Sequence, residues 1–127
     1  MKIEDVLFVI AGAIPGALLR YVITSEAFII EGLPVSVLIV NIIGSFILGL
    51  TMAGVTRLGF NAEFVPFISV GFCGSLTTMS SFAYETVNLL DSSKLALLGL
   101  NILLNVGLSI AAIIAGQAVI NAIAGAI

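Results

Sequence analysis

Four apolar segments occupy nearly the whole of this 127-residue chain, and they limit its fold more than any other feature does. Each is about as long as the roughly 20 residues that an α-helix needs to cross the hydrocarbon core of a bilayer. We place them at about residues 3–24, 33–56, 62–89 and 94–123. Hydrophobic residues make up 61% of the chain and charged residues only 9%, which excludes an ordinary soluble domain. The sequence therefore predicts an all-α membrane protein, with residues 1–127 forming a single domain of four transmembrane helices.

The positive charges are divided evenly between the two sides of the predicted bundle. Lys2 and Arg57 fall on one side, whereas Arg20 and Lys94 fall on the other. Because cytoplasmic loops normally carry the excess of Lys and Arg, an even division gives the positive-inside rule little to act on. Two interpretations stay open at this point. The chain inserts in both orientations and pairs with itself, or flanking acids and helix hydrophobicity resolve a weak bias.

Neutral hydrogen-bonding side chains, rather than charges, occupy the middle of the predicted spans. Asn41 and Ser45 share one face of the second span, because residues four apart lie on the same side of a helix. Asn101, Asn105 and Ser109 form a similar stripe along the fourth span. Such side chains line polar paths through membranes, but they also bond helices to one another. The several hydrogen-bonding groups of an amide favour a shared polar partner for Asn41 and Asn105, whereas packing is the ordinary role of a single Ser or Thr.

The most polar stretch of the chain, GFCGSLTTMSSF at residues 71–82, lies within the third predicted span. Glycine and hydroxyl residues favour local hydrogen bonds that compete with a helix, so we expect an interruption near residues 74–77. An interruption exposes backbone carbonyls, which must be buried in protein or bound by water or an ion. A cation such as Na⁺ suits these carbonyls, and hydroxyl or amide donors suit an anion. A simple glycine kink for packing is the alternative.

Several classes of function lack the residues that they need. The chain has no His and a single Cys, so a metal cluster or an internal disulfide is not expected, and no basic patch indicates nucleic acid. Without a nucleophile–base pair or a cofactor motif, we predict that the protein is not an enzyme. A small proton-coupled multidrug exporter is a competing function, but it needs a carboxylate within the membrane, and the first span has no acid between Asp5 and Glu26. A membrane subunit that only packs against others is a third possibility.

Four segments, one from each predicted span, together resemble the CrcB/Fluc family of fluoride channels. They are GAIPGALLRY at residues 12–21, VNIIGSFILG at 40–49, GFCGSLTTMSSFAYE at 71–85 and NVGLS at 105–109. The resemblance implies a passive channel that exports F⁻ from the cytoplasm across the cell membrane and so relieves fluoride toxicity. It also implies an antiparallel homodimer with dual topology, two fluoride pores and a structural Na⁺ at its centre.

The resemblance implies roles for particular residues, matched by their positions in the motifs. Backbone carbonyls of Gly74 and Thr77 would bind the Na⁺. Arg20 and Glu85 match positions near the vestibules of the pore. The fluoride pathway would comprise Asn41, Met79, Ser80, Ser81, Phe82, Asn105 and Ser109.

Three positions depart from the family pattern. Ser75 stands where a glycine is usual, Met79 where an aromatic ring is usual, and Asn101 where a tyrosine is frequent. Met79 removes one ring whose positive edge could face an anion, although its polarizable thioether fills similar space. Two outcomes follow from this. The chain pairs with itself and has an altered first anion site, which the even charge balance favours, or it needs a paralogous partner to complete one pore.

Overall fold

A computed structural model describes residues 2–26 and 28–126 of the chain. Four apolar helical segments are long enough to cross a membrane, which confirms the expected all-helical architecture: Ile3–Thr24, Ser36–Leu58, Ala62–Asp91 and Leu95–Ala124. The first and second are the continuous helices α1 (Ile3–Thr24) and α2 (Ser36–Leu58). The third is subdivided, and the fourth is one continuous helix.

The third segment changes its helical type along its length. It begins with a 3₁₀ turn (Ala62–Phe64) and continues as a π-helix (Pro66–Cys73). The short helix α3 (Gly74–Leu76) follows, and α4 (Met79–Asp91) completes the segment. A tight turn then leads into α5 (Leu95–Ala124).

Two residues with extended backbone separate α3 from α4. Thr77 has φ −75° and ψ 154°, and Thr78 has φ −150° and ψ 117°. Gly74 itself is helical, with φ −65° and ψ −29°. The non-helical backbone therefore begins at Thr77, at the end of the range 74–77 named above, and extends one residue beyond it.

A small β-hairpin lies between α1 and α2, and its second strand occupies residues 33–34, the first two residues of the predicted second span. β1 (Ile29–Ile30) pairs antiparallel with β2 (Leu33–Pro34), and Gly32 supplies a positive φ of 85° in the turn. The Ser36 hydroxyl accepts a hydrogen bond from the Phe28 N–H at 3.0 Å. This bond fastens the hairpin to the first turn of α2.

Glycines allow α1 to approach the π-helix more closely than larger residues would permit. A Cβ at Gly12 would collide with the Phe67 carbonyl and the Phe72 amide nitrogen, groups five residues apart that one π-turn brings together. A Cβ at Gly16 would collide with the backbone of Phe72. Gly12 and Gly16 therefore act as the close-packing GxxxG pair that is common between membrane helices.

Helices α2 and α5 are in equally close contact. A Cβ at Gly49 would collide with the Ile113 carbonyl, and one at Gly116 would collide with the Phe46 carbonyl. Of the four segments, α2 is the most buried. The polar side chain of Asn41 on α2 is held against α5, where it bonds to Asn105.

Candidate functional site

The extended residues Thr77 and Thr78 bond to side chains of other helices. The Thr78 N–H donates to Oδ1 of Asn41 on α2 at 2.8 Å. The Thr77 carbonyl accepts from the guanidinium of Arg20 on α1, with an Nη1–O distance of 3.2 Å. Within lipid an unsatisfied backbone group costs several kcal/mol, so these two side chains supply partners that the helix itself does not.

The Gly74 carbonyl loses its usual helical partner. In a continuous α-helix it would accept from the N–H of Thr78, but that N–H donates to Asn41. The Thr77 N–H and hydroxyl both donate to the Cys73 carbonyl, each at 2.9 Å. The carbonyls of Gly74 and Thr77 thus lie where the helical hydrogen-bond pattern ends.

Three asparagines form a continuous chain of hydrogen bonds from α2 through α5, which we call the amide chain (Asn41, Asn105 and Asn101). Asn41 Nδ2 donates to Asn105 Oδ1 at 3.0 Å, and Asn105 Nδ2 donates to Asn101 Oδ1 at 2.9 Å. Asn101 Nδ2 donates to the hydroxyl of Thr86 on α4 at 3.1 Å. The two amides that the sequence predicts to share a polar partner are therefore bonded to one another.

The amide of Asn41 has one hydrogen that is weakly held. An Asn amide carries two hydrogens, and one of them is used in the bond to Asn105. The other points to the Thr78 carbonyl at 3.4 Å, beyond the usual range of about 2.7–3.2 Å for an N–H···O bond. A hydrogen-bond acceptor that approached Asn41 would therefore break this second bond more readily than the bond to Asn105.

Two open grooves receive the side chains predicted for the ion pathway. The first has a volume of about 420 Å³, and we call it the amide groove. The second has a volume of about 520 Å³, and we call it the hydroxyl groove. The predicted residues that line the amide groove are Asn41, Gly74, Thr77, Met79, Phe82, Asn105 and Ser109. Ser80, Ser81 and Glu85 line the hydroxyl groove instead, together with Thr24, Ser36 and Asn88.

Thr78 links the two grooves at the start of α4. Its hydroxyl oxygen accepts from the Ser81 N–H at 3.2 Å, as an N-cap side chain does. The same oxygen lies 3.2 Å from the Ser80 hydroxyl and 3.1 Å from the Ser81 hydroxyl. Because Thr78 lines the amide groove and the two serines line the hydroxyl groove, this cluster joins them.

Met79 and Phe82 both line the amide groove but differ in exposure. Phe82 is 8% exposed, whereas Met79 is 73% exposed. Of these two residues, Met79, which departs from the family pattern, is therefore the one that a single chain leaves uncovered.

The two predicted vestibule residues have different environments. Arg20 bonds to the Thr77 carbonyl and lines neither groove. Glu85 lines the hydroxyl groove, and its buried Oε2 has no hydrogen-bond partner among the residues that the structure describes.

Thr86 makes a polar contact with the amide chain that no sequence motif indicates. It lies one turn after Phe82 on α4, and its hydroxyl donates to the Phe82 carbonyl at 2.8 Å. A hydroxyl bonded within its own helix is common and carries no signal of function. Only the packing of α4 on α5 brings it against Asn101.

Comparison with known proteins covers nearly the whole chain. Residues 7–117 match a family model described as CrcB-like protein, Camphor Resistance (CrcB). The chain is 46% identical over 123 residues to a protein named fluoride-specific ion channel FluC from Nitrosopumilus maritimus (strain SCM1), covering 97% of this chain and 98% of the relative. A protein of the same name from Methanocaldococcus jannaschii is 43% identical over 104 residues, 82% of this chain and 84% of the relative.

A third relative extends the comparison. The protein named fluoride-specific ion channel FluC from Shewanella pealeana is 39% identical over 116 residues, 90% of this chain and 94% of the relative. The matched range 7–117 contains every residue of the amide chain and both grooves.

Proposed function

This chain belongs to the CrcB-like family, and from that premise we propose that it forms a fluoride-selective channel of the cell membrane. The observation that carries the proposal is the set of neutral donors in the amide groove. Asn41, Asn105 and Ser109 line it, and the described residues that line it include no Lys or Arg. A pore of this kind attracts an anion without a fixed cation that would hold it too tightly.

The chemistry of the groove suits a small and strongly hydrated anion. A pore for F⁻ must replace water with close hydrogen-bond donors, and the weakly held hydrogen of Asn41 is one such donor. Because that hydrogen has only a long bond to the Thr78 carbonyl, F⁻ displaces little when it binds there. The ring of Phe82 adds a positive edge on the same path, and Met79 adds a polarizable thioether.

We propose that two copies pair in an antiparallel dimer with dual topology. The open side of the amide groove and the 73% exposure of Met79 support a partner at this face. The even division of Lys and Arg supports insertion in both orientations. A second copy would cover Met79 and turn the open groove into a closed path.

A structural Na⁺ at the dimer centre forms part of the proposal. Carbonyl oxygens are suitable ligands for a hard cation, and those of Gly74 and Thr77 lie where the helical pattern ends. The Thr77 carbonyl already accepts one bond from Arg20, and its second lone pair is left for a cation. When bound, Na⁺ would offset the negative ends of these carbonyl dipoles where the two copies meet.

The direction of fluoride movement follows from acid–base chemistry. HF is a weak acid that crosses membranes in its neutral form and dissociates in the less acidic cytoplasm. The F⁻ left inside then moves outward through a passive channel down its gradient. We therefore propose that the channel relieves fluoride toxicity.

Efflux from liposomes that contain the purified protein tests this function. We expect rapid F⁻ release without Cl⁻ release, and the rate should not depend on a pH gradient. Asn41→Ala should abolish F⁻ release, whereas Asn121→Ala, at an exposed position outside both grooves, should leave it unchanged. Absence of F⁻ release from the protein alone would overturn self-pairing if a related subunit restored it, and the whole proposal if none did.

Replacing Na⁺ tests the cation separately. With N-methylglucamine in place of Na⁺ on both sides of the liposome, we expect F⁻ release to fall and the return of Na⁺ to restore it. Equal rates with and without Na⁺ would remove the cation from the proposal and leave the fluoride channel standing.

A further inference from the structure

The amide chain runs in one direction, and the groups at its two ends impose that direction. At one end the backbone N–H of Thr78 can only donate, so Asn41 must present Oδ1 to it, at 2.8 Å. At the other end the Thr86 hydroxyl gives its single hydrogen to the Phe82 carbonyl at 2.8 Å. Thr86 can then only accept from Asn101, which must present Nδ2 to it.

The three amides between these two ends must keep the orientation that the end groups impose. If the Asn101 amide turned over, its oxygen would face the Thr86 oxygen, and its NH₂ group would face the NH₂ group of Asn105. Asn105 Nδ2 also donates to the Asn101 backbone carbonyl at 3.1 Å, which opposes its own reversal. Each amide thus holds its neighbour, and Thr86 at one end and the Thr78 N–H at the other impose the same orientation.

The burial of the amide chain strengthens the coupling between neighbouring amides. Asn101 is 1% exposed and Asn105 is 4% exposed, so neither water nor lipid offers a ready substitute for a lost partner. A polar group without a partner in such a place is costly, and a reversed amide would leave two of them.

We propose that Asn101 and Thr86 are positioning residues that keep the Asn41 amide turned with its NH₂ group, and not its oxygen, available in the amide groove. Neither residue lines either groove, so neither touches the ion. They act through Asn105, which bonds to Asn101 on one side and to Asn41 on the other. An NH₂ group at this position attracts an anion, whereas a carbonyl oxygen repels it. This inference rests on the proposed fluoride channel.

Substitutions at Thr86 test the proposal in the F⁻ efflux assay. Thr86→Val keeps the shape of the side chain but removes the acceptor of Asn101, so the Thr78 N–H becomes the only end group that opposes reversal of the amides. We expect the F⁻ concentration at half-maximal flux to rise about tenfold, which is about 1.4 kcal/mol of anion binding. Thr86→Ser retains the hydroxyl and should stay within about twofold of the unmodified protein. A loss of properly folded channel would instead lower the maximal flux and leave the half-saturation value unchanged.

Thr51 offers a matched control on α2. It is 8% exposed, and its hydroxyl donates to the Ile47 carbonyl one turn back at 2.8 Å, as that of Thr86 does to Phe82. It is not bonded to the amide chain. Thr51→Val should therefore leave the half-saturation concentration for F⁻ unchanged.

The side-chain NH₂ resonances of Asn41 provide a readout that needs no transport. We expect one ¹⁵N-correlated NH₂ pair in the unmodified protein, assigned by its loss in Asn41→Ala, and a second pair from the reversed amide in Thr86→Val. If Thr86→Val does not fold, Thr86→Ala removes the same hydroxyl and suits a helix better.

The outcomes separate this inference from the function on which it rests. Unchanged half-saturation and unchanged Asn41 resonances in the Val or Ala variant would overturn the positioning role while F⁻ flux still supported the channel. Equal defects in Thr86→Val and Thr86→Ser would also overturn it, because the hydroxyl would then not be the cause. No F⁻ flux in the unmodified protein would overturn the channel, and the resonances alone would then decide the positioning role.

Discussion

Replacement of Asn41 by leucine should destabilise the folded chain, because this one side chain completes the backbone of another helix. Asn41→Leu keeps the branching and the number of side-chain heavy atoms and adds no charge. It removes the acceptor of the Thr78 N–H, at 2.8 Å, and the donor to Asn105 Oδ1, at 3.0 Å. The Thr78 N–H and the Asn105 Oδ1 both remain, but each has lost this partner.

The expected cost follows from those two groups. A buried backbone N–H that loses its acceptor costs about 1–3 kcal/mol. A side-chain hydrogen bond between membrane helices contributes about 0.6 kcal/mol on average and at most about 1.7 kcal/mol. We therefore expect Asn41→Leu to lower the free energy of unfolding by about 2–4 kcal/mol per chain.

Reversible unfolding in mixed micelles of increasing SDS fraction measures this change. Asn121→Leu is the matched control, because Asn121 is exposed near the end of α5 and its side chain bonds to none of the described residues. Its effect should stay within about 0.5 kcal/mol. Hydrogen exchange at the Thr78 amide gives a local measure and should become faster in Asn41→Leu alone.

A loss below about 1 kcal/mol, with slow exchange still seen at Thr78, would refute the reasoning. It would mean that the Thr78 N–H had found another acceptor. One candidate is the Gly74 carbonyl, its partner in a continuous helix. Asn41 would then not be the group that holds the extended backbone.

Three further substitutions probe separate contacts. Gly16→Ala puts a Cβ against the backbone of the π-helix and should cost about 1–3 kcal/mol in the same SDS assay, whereas Gly99→Ala, with nothing within 4 Å, should not destabilise the chain. Arg20→Met removes the charged donor of the Thr77 carbonyl and should cost about 1.5–3 kcal/mol, with partial recovery in Arg20→Lys; equal stability of the Met variant would contradict the role given to this bond. Met79→Phe, at a side chain that is 73% exposed, should leave stability within about 0.5 kcal/mol but lower the half-saturation concentration for F⁻, and no change in flux would show that Met79 lies off the path.

The four spans could be predicted from hydrophobicity alone, because a chain with so few charges has no other way to satisfy its backbone in lipid. The π-helix could not be predicted from the sequence. Its i→i+5 hydrogen-bond pattern has no sequence signature. Its role is explained only by the packing of Gly12 against the Phe67 and Phe72 backbone groups that one π-turn brings together. The hairpin at residues 29–34 is similar, since runs of two residues are too short for a periodic signal.

At the site, the sequence indicates which kinds of side chain are present but not the directions in which they point. Met79 to Phe82 are consecutive in the chain and begin α4, so successive side chains turn about the helix axis and reach different grooves. The bond from Thr78 to Asn41 joins residues 37 positions apart, which no local pattern encodes. Whether F⁻ follows both grooves stays a prediction.

The partners of the extended residues have a consequence for the order of synthesis. Thr77 and Thr78 rely on Arg20 and Asn41, and both of these precede them in the chain. When the ribosome delivers the third segment to the membrane, the groups that satisfy its exposed backbone have already been made. Only Asn105, which holds Asn41 from α5, arrives later. The side chains that satisfy the extended backbone at Thr77 and Thr78 are thus made before it. Insertion of the fourth segment then adds the bond from Asn41 to Asn105.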